Sequence, residues 1–200
     1  HGHLKVVEYL VGKGASLKTK GKYRMTLLHN ATMGGNLSVV KYLIEKGANI
    51  NIKSLGGNAP LCMTVRHGKL DVVKYLINKG ADVNTKSING DNILHCAGWF
   101  GNSKVTKYFI KIGVAVNAKN ENGDMPLHFA AEKGNFAVAK MLLKYNADIN
   151  ANGKYGETPL HHIVRGGNSK VVKYFIKKGA NVNAKDENGD TPPCCYEWRV

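Results

Sequence analysis

The sequence lacks the long apolar runs that membrane-spanning helices need. Its 200 residues are 43% hydrophobic, but no stretch approaches the roughly 18 uninterrupted apolar residues of a transmembrane helix. The N-terminus, which reads His1-Gly2-His3, also lacks the charged and apolar regions of a secretory signal peptide. We therefore expect an intracellular, cytoplasmic location, and we interpret a chain that does not begin with Met as a fragment of a longer protein.

Cysteine and arginine are both scarce. Four cysteines, none in a C-x-x-C pair, are too few for a disulfide scaffold and lack the spacing of a zinc ribbon. The net charge is +15, but lysine supplies 25 of the 29 basic residues. Because phosphate and base-edge recognition favours the bidentate guanidinium of arginine, this balance argues against a nucleic-acid reader. The charge suits an acidic protein partner, and an anionic membrane surface is a weaker alternative.

What the sequence does contain is a period of 33 residues without insertions. Four-residue blocks at this spacing vary around Thr-Pro-Leu-His and start at Thr26, Ala59, Asn92, Met125, Thr158 and Thr191. Glycine recurs with the same step at positions 2, 35, 68, 101, 134 and 167, and asparagine at positions 51, 84, 117, 150 and 183. The chain is therefore predicted to be an array of similar structural units.

The residues of one unit predict its local structure. Thr158-Pro159 is a helix start, because the hydroxyl can cap free amides and proline is tolerated in the first turn. Gly167 ends this helix, a second amphipathic helix follows, and Gly179 provides a left-handed cap. Asn188-Gly189 is a strong turn signal for a hairpin-like loop. Each unit is thus predicted to be helix, turn, helix and loop.

This pattern resembles the ankyrin repeat over the whole chain. The resemblance implies an all-α solenoid in which stacked units share one core, with a concave groove that binds other proteins. It also implies a protein without enzymatic activity or cofactor. We predict one domain, with five full repeats at 21–53, 54–86, 87–119, 120–152 and 153–185, and partial repeats at 1–20 and 186–200.

The histidine of the four-residue block recurs in four copies, and cysteine takes its place in two. Histidine and cysteine are zinc ligands, but equivalent residues of stacked helices lie about 8–10 Å apart, too far for one ion. A catalytic nucleophile would be unique, whereas these residues are copies of one structural position. We predict hydrogen bonds within and between repeats for them, no metal site and no catalytic residue. The residues concerned are His29, Cys62, His95, His128, His161 and Cys194.

Binding specificity should reside in residues that the copies do not share. These lie at the end of each first helix and at each loop tip. Trp99-Phe100 stands out, because a solvent-facing aromatic pair in mid-array is typical of a binding hot spot. The predicted partner-binding residues are Tyr23, Met33, Leu55, Arg66, His67, Ile88, Trp99, Phe100, Tyr155 and Arg165.

Two departures from the repeat lead to local expectations. Arg24 replaces the turn glycine of the other copies, so the first full repeat should have the least regular loop. Asn146 replaces a capping glycine and should adopt the left-handed conformation. A final helix in residues 191–200 is doubtful, because Pro193 interrupts the block there.

The sequence as a whole predicts a monomeric protein-interaction module. One alternative is a spacer or scaffold array within a larger effector, toxin-like or membrane-associated protein whose activity lies elsewhere. The other alternative is a basic surface that binds nucleic acid or anionic lipid.

Overall fold

Short helices in pairs make up most of the chain. The computed structural model describes residues 2–196, which contain eleven α-helices, three 3-10 turns and no β-strand. The chain divides into two compact units, the first ending at Ile88 and the second beginning at Asn89. Each 33-residue segment from residue 21 to residue 185 contributes two helices, which we call its first helix and its second helix.

The first unit has its helices in two layers. The first helices α2 and α4 pack against each other, and the second helices α1, α3 and α5 pack in sequence behind them. A 3-10 turn, Lys22–Arg24, precedes α2. The helices are α1 (Gly2–Gly12), α2 (Leu27–Met33), α3 (Leu37–Glu45), α4 (Pro60–Met63) and α5 (Leu70–Asn78).

The second unit repeats this arrangement. Its first helices α6, α8 and α10 stack in one layer, and each packs against its own second helix, α7, α9 or α11. A 3-10 turn, Lys154–Gly156, precedes α10, and another, Pro192–Tyr196, packs against α10. The helices are α6 (Ile93–Phe100), α7 (Ser103–Lys111), α8 (Pro126–Glu132), α9 (Phe136–Lys144), α10 (Pro159–Arg165) and α11 (Ser169–Lys177).

The 33-residue step places equivalent apolar side chains at equivalent points of the core. Each first helix buries one leucine, and each second helix from α3 onward buries one leucine or phenylalanine. Burying a side chain of this size contributes about 1.5–3 kcal/mol, so the two rows are a main source of stability. They are Leu28, Leu61, Leu94, Leu127 and Leu160, and Leu43, Leu76, Phe109, Leu142 and Phe175.

The histidines of the repeat begin the first helices, as predicted. In each case Nδ1 accepts a hydrogen bond from the backbone N–H three residues earlier, at 3.0 or 3.1 Å. Because a backbone N–H can only donate, the ring hydrogen must be on Nε2. Nε2 then donates to a backbone carbonyl near the start of the following repeat, at Asn58 for His29, Asp124 for His95, Ala151 and Glu157 for His128, and Asp190 for His161.

The repeated asparagines connect successive repeats in the same way. The side-chain amide of Asn117 donates to the carbonyl of Asn146, and its oxygen accepts from the N–H of Asp148. Asn150 makes the equivalent pair of hydrogen bonds 33 residues later, to Gly179 and Asn181. Asn51 does the same in the first unit, with Gly80 and Asp82. We call this arrangement the asparagine clamp.

Both local expectations from the sequence are confirmed. Asn146 has φ 62°, in the left-handed region that the equivalent glycines also occupy. In the first full repeat, Tyr23 and Arg24 both have positive φ, at 58° and 55°. Arg24 therefore adopts a conformation that the other copies leave to glycine.

Replacement of Arg24 by glycine is expected to stabilise the protein. A left-handed conformation costs a non-glycine residue about 1–2 kcal/mol, whereas the added freedom of glycine in the unfolded chain costs about 0.5–1 kcal/mol. We expect Arg24→Gly to raise the free energy of unfolding by about 0.5–1 kcal/mol, measured by urea denaturation. Gly123→Ala is the matched control, because Gly123 has φ 83° at the equivalent position and no neighbouring atom closer than 3.8 Å to an added Cβ. The control should lose stability, and a loss by Arg24→Gly would contradict the proposed strain.

Candidate partner-binding face

The exposed side of the first helices, together with the loop tips before them, forms one surface in each unit. We call this surface the inner face. In the first unit it includes the predicted residues Arg66 and His67, both exposed, and Met33, which is half-buried. Tyr155 is exposed and Arg165 half-buried on the inner face of the second unit.

Three predicted residues of the first unit lie at successive loop tips. Tyr23 is 61% exposed, Leu55 58% and Ile88 63%. The backbone N–H of Leu55 donates to the carbonyl of Tyr23 at 2.7 Å, and that of Ile88 to the carbonyl of Gly56 at 3.0 Å. These hydrogen bonds between repeats hold the three tips side by side. We call Tyr23, Leu55 and Ile88 the tip row, an exposed apolar strip on a hydrogen-bonded backbone.

Trp99 and Phe100 lie at the end of α6 in the second unit. They are 42% and 44% exposed. The ring centroid of Trp99 lies 6.1 Å from that of Phe129 on α8, and the ammonium of Lys133 lies 3.5 Å from the Trp99 centroid. Lys133 also pairs with Glu132 at 2.9 Å. The indole is thus supported on one side by a ring and a cation–π contact and open to solvent on the other.

Gly98 determines where Trp99 lies. A Cβ at Gly98 would be 2.5 Å from the carbonyl oxygen of Pro126 and 3.0 Å from the nitrogen of Ala130, so α6 and α8 approach each other closely at this point. The side-chain amide of Asn135 donates to the carbonyls of Gly98 and Trp99 at 2.7 and 2.9 Å. The sequence analysis missed Gly98, because it belongs to no glycine ladder.

A polar cavity of about 460 Å³ lies beside Tyr155 and Arg165 in the second unit. Arg165 forms an ion pair with Glu157, which is largely buried. The Nε2 atom of His162 lies 3.3 Å from Glu157, but without the alignment of a hydrogen bond. The sequence analysis predicted Tyr155 and Arg165 here but missed Glu157 and His162. The eight-residue separation of Glu157 and Arg165, from a loop to a helix end, matches no recognisable motif.

His162 is neutral despite the nearby carboxylate. Burial lowers the pKa of His162 to about 4, and the neighbouring His128 and Arg165 lower it further in the same direction. Arg165 already neutralises Glu157, so the carboxylate does little to stabilise a protonated imidazole. The two imidazoles stack edge to face, with ring centroids 5.9 Å apart.

The histidines at the helix starts are also in their neutral form. Burial lowers the pKa of His29, His95 and His128, and the hydrogen bonds to backbone carbonyls only partly oppose this effect. Both ring nitrogens of each histidine are occupied by the bonds that begin the helix and reach the next repeat. Among residues 2–196, no group of three or more His, Cys, Asp or Glu side chains is arranged to hold a metal ion.

Comparisons with known proteins agree with this architecture. The family described as "Ankyrin repeats (3 copies)" matches residues 1–87 and 61–153, and "Ankyrin repeats (many copies)" matches residues 146–192. The chain therefore belongs to the ankyrin-repeat family. Its fold class is the all-α ankyrin-repeat solenoid, as the sequence predicted.

One solved structure similar to this chain is the ankyrin repeat domain of human ASB11. The two chains are 25% identical, with a TM-score of 0.84, and the match covers 96% of this chain and 86% of that one. A comparison with curated proteins gives no significant match. Ankyrin repeats generally mediate protein–protein interaction and are typically non-catalytic. In the described part of the chain, no helix has the length and apolar character needed to cross a bilayer.

Proposed function

We propose that this chain binds a partner protein through its inner face, with one contact area in each unit. The observation that carries the proposal is the tip row. Tyr23, Leu55 and Ile88 each expose more than half of their side-chain surface at neighbouring positions, and loop tips of a monomeric protein are ordinarily polar. An apolar strip on a hydrogen-bonded backbone suits a partner surface that buries it.

Trp99 supplies the equivalent feature in the second unit. A large ring that is fixed by Phe129 and Lys133 loses little freedom on binding, so burying its open side would favour association. Charged residues at neighbouring positions, Glu132 among them, would form a polar rim around this apolar centre. The polar cavity beside Tyr155 would accept a charged or hydrogen-bonding side chain of the partner.

Affinity capture with matched variants tests the proposal. The bait proteins are the wild type, the double variant Leu55→Ser/Ile88→Ser, and the control Ile176→Ser. Ile176 is an exposed apolar residue on a second helix, outside the inner face. We expect proteins retained by the wild type and by the control to fall at least tenfold with the double variant. Equal retention by all three baits, or loss with the control alone, would contradict binding through the inner face.

Trp99→Ala is expected to separate binding from stability. The side chain is already partly in water, so its truncation should lower the free energy of unfolding by only about 1 kcal/mol. Loss of a binding hot spot would weaken association with a captured partner by about 2 kcal/mol or more. Urea denaturation and a binding titration measure the two effects. A stability loss of about 3–5 kcal/mol, typical of a buried tryptophan, would instead assign the ring to the core.

A further inference from the structure

The second helices of the second unit carry many lysines and no acidic residue. Their sequences are SKVTKYFIK in α7, FAVAKMLLK in α9 and SKVVKYFIK in α11. The second helices of the first unit differ, because each includes one acidic residue, namely Glu8, Glu45 or Asp71. The lysine ladder is therefore balanced by nearby carboxylates in the first unit but not on α7, α9 and α11.

Four of these lysines line a single open cavity. It has a volume of about 580 Å³ and no carboxylate in its lining, and its apolar wall includes Met141 and Tyr174. We call it the lysine cavity. Low-dielectric walls concentrate the field of charges of one sign, so a cavity of this kind attracts anions more strongly than a flat surface does. The lining lysines are Lys107, Lys140, Lys144 and Lys178.

The cavity exists because α9 departs from the repeat. Tyrosine recurs at positions 9, 42, 75, 108 and 174 of the sequence, one per second helix, but at position 141 the chain has methionine. The smaller Met141 leaves open the space that a tyrosine ring would fill between Tyr108 and Tyr174. Ala137, one turn earlier on the same helix, also lines the cavity and leaves its wall uncovered.

Aromatic rings hold two of the ammonium groups at the cavity. The Nζ atom of Lys140 lies 5.0 Å from the ring centroid of Phe136 and 5.5 Å from that of Tyr174. The Nζ atom of Lys178 lies 5.9 Å from the same Tyr174 ring. Phe136 and Tyr174 in turn pack edge to face at 5.1 Å. Cation–π contacts on a packed pair of rings restrict the lysine chains and keep their charges in place.

We propose that the lysine cavity binds a compact group of two or more phosphates, carried by a small molecule or by a lipid headgroup. Lysine binds phosphate as a point charge, so four lysines without a carboxylate suit a ligand with several negative charges. The volume lies in the usual range for small-ligand sites. Nucleic acid fits less well, because none of the lining residues is an arginine. This site is independent of the inner face.

Calorimetric titration with inositol hexakisphosphate tests the proposal. The cavity variant has Lys107, Lys140, Lys144 and Lys178 all replaced by glutamine. The matched control replaces Lys104, Lys111, Lys170 and Lys177, which are exposed on α7 and α11 but do not line the cavity. Both variants lose four charges, so general attraction would weaken equally in both. We expect affinity to fall at least tenfold in the cavity variant and less than threefold in the control.

A charge-neutral variant tests the shape of the cavity. Met141→Tyr restores the tyrosine of the other repeats and should fill the space while leaving every lysine in place. We expect it to weaken binding at least fivefold without lowering the thermal midpoint. Vesicles with and without phosphatidylinositol 4,5-bisphosphate identify the source of the phosphates, since retention that depends on the cavity lysines assigns the site to a headgroup. No binding of either probe, equal losses in the two lysine variants, or stronger binding of single-stranded RNA with the same equal losses would overturn the proposal.

Discussion

Lowering the pH from 7 to 4 is expected to remove several kcal/mol from the free energy of unfolding. The unfolded chain binds a proton at each histidine below pH about 6.5, whereas burial lowers the pKa of His29, His95, His128 and His162 in the folded protein. Unfolding therefore takes up protons, and stability falls as the pH drops below about 6.5. With a folded pKa of about 4, His162 alone accounts for about 3 kcal/mol.

Urea denaturation at several pH values between 7.5 and 4 measures this effect. His162→Phe should flatten the pH dependence, because phenylalanine occupies the equivalent position in the preceding repeat, at Phe129, and does not titrate. His67→Gln is the control, since His67 is exposed and its replacement should leave the pH dependence as it is. A urea midpoint that stays constant between pH 7 and pH 5 would show that the buried histidines are not held neutral.

Gly98→Ala is expected to destabilise the protein by about 2–3 kcal/mol. The added methyl group would meet the backbone of α8 at Pro126 and Ala130, and backbone atoms cannot rotate aside as a flexible side chain can. Helices α6 and α8 would have to separate, which is the usual consequence of overpacking a core. The gain in helix propensity from glycine to alanine, up to about 1 kcal/mol, offsets only part of this loss.

Gly34→Ala provides the comparison for this prediction. Gly34 has φ −74°, and an added Cβ would have no neighbour closer than 3.5 Å. Alanine should therefore be neutral or stabilise the protein by up to about 1 kcal/mol. Thermal unfolding of both variants decides the matter, and similar midpoints for the two would show that the close approach at Gly98 is not needed for stability. Because Asn135 bonds to the carbonyls of Gly98 and Trp99, Gly98→Ala should also disturb the proposed contact area.

The features that could be predicted from the sequence are those that the copies share. The 33-residue step predicts paired helices, and the left-handed Asn146 follows from its place among capping glycines. The histidines could be assigned to hydrogen bonds between repeats because a residue that recurs at every step must do the same work at every step. Repetition thus converts a single sequence into several observations of one structure.

The features that could not be predicted depend on what only one copy contains. The close approach at Gly98 depends on the combined size of side chains on α6 and α8, which lie about 30 residues apart. The cluster of Glu157, His162 and Arg165 arises where a loop meets a helix end, and no spacing rule describes it. The lysine cavity results from the single methionine at position 141. Chemical individuality in a repeat protein therefore appears as an exception to its period.

The asparagine clamp has a consequence for how such a chain can change in length. Asn117 holds Asn146 and Asp148, and Asn150 holds the residues 33 positions further on, Gly179 and Asn181. Deletion of residues 120–152 would place Gly179 and Asn181 where Asn117 previously met Asn146 and Asp148, and no hydrogen bond of the clamp would lose its acceptor or donor. In-frame recombination between repeats of the coding sequence, which removes or duplicates whole units of 99 nucleotides, is thereby compatible with a folded product at every step.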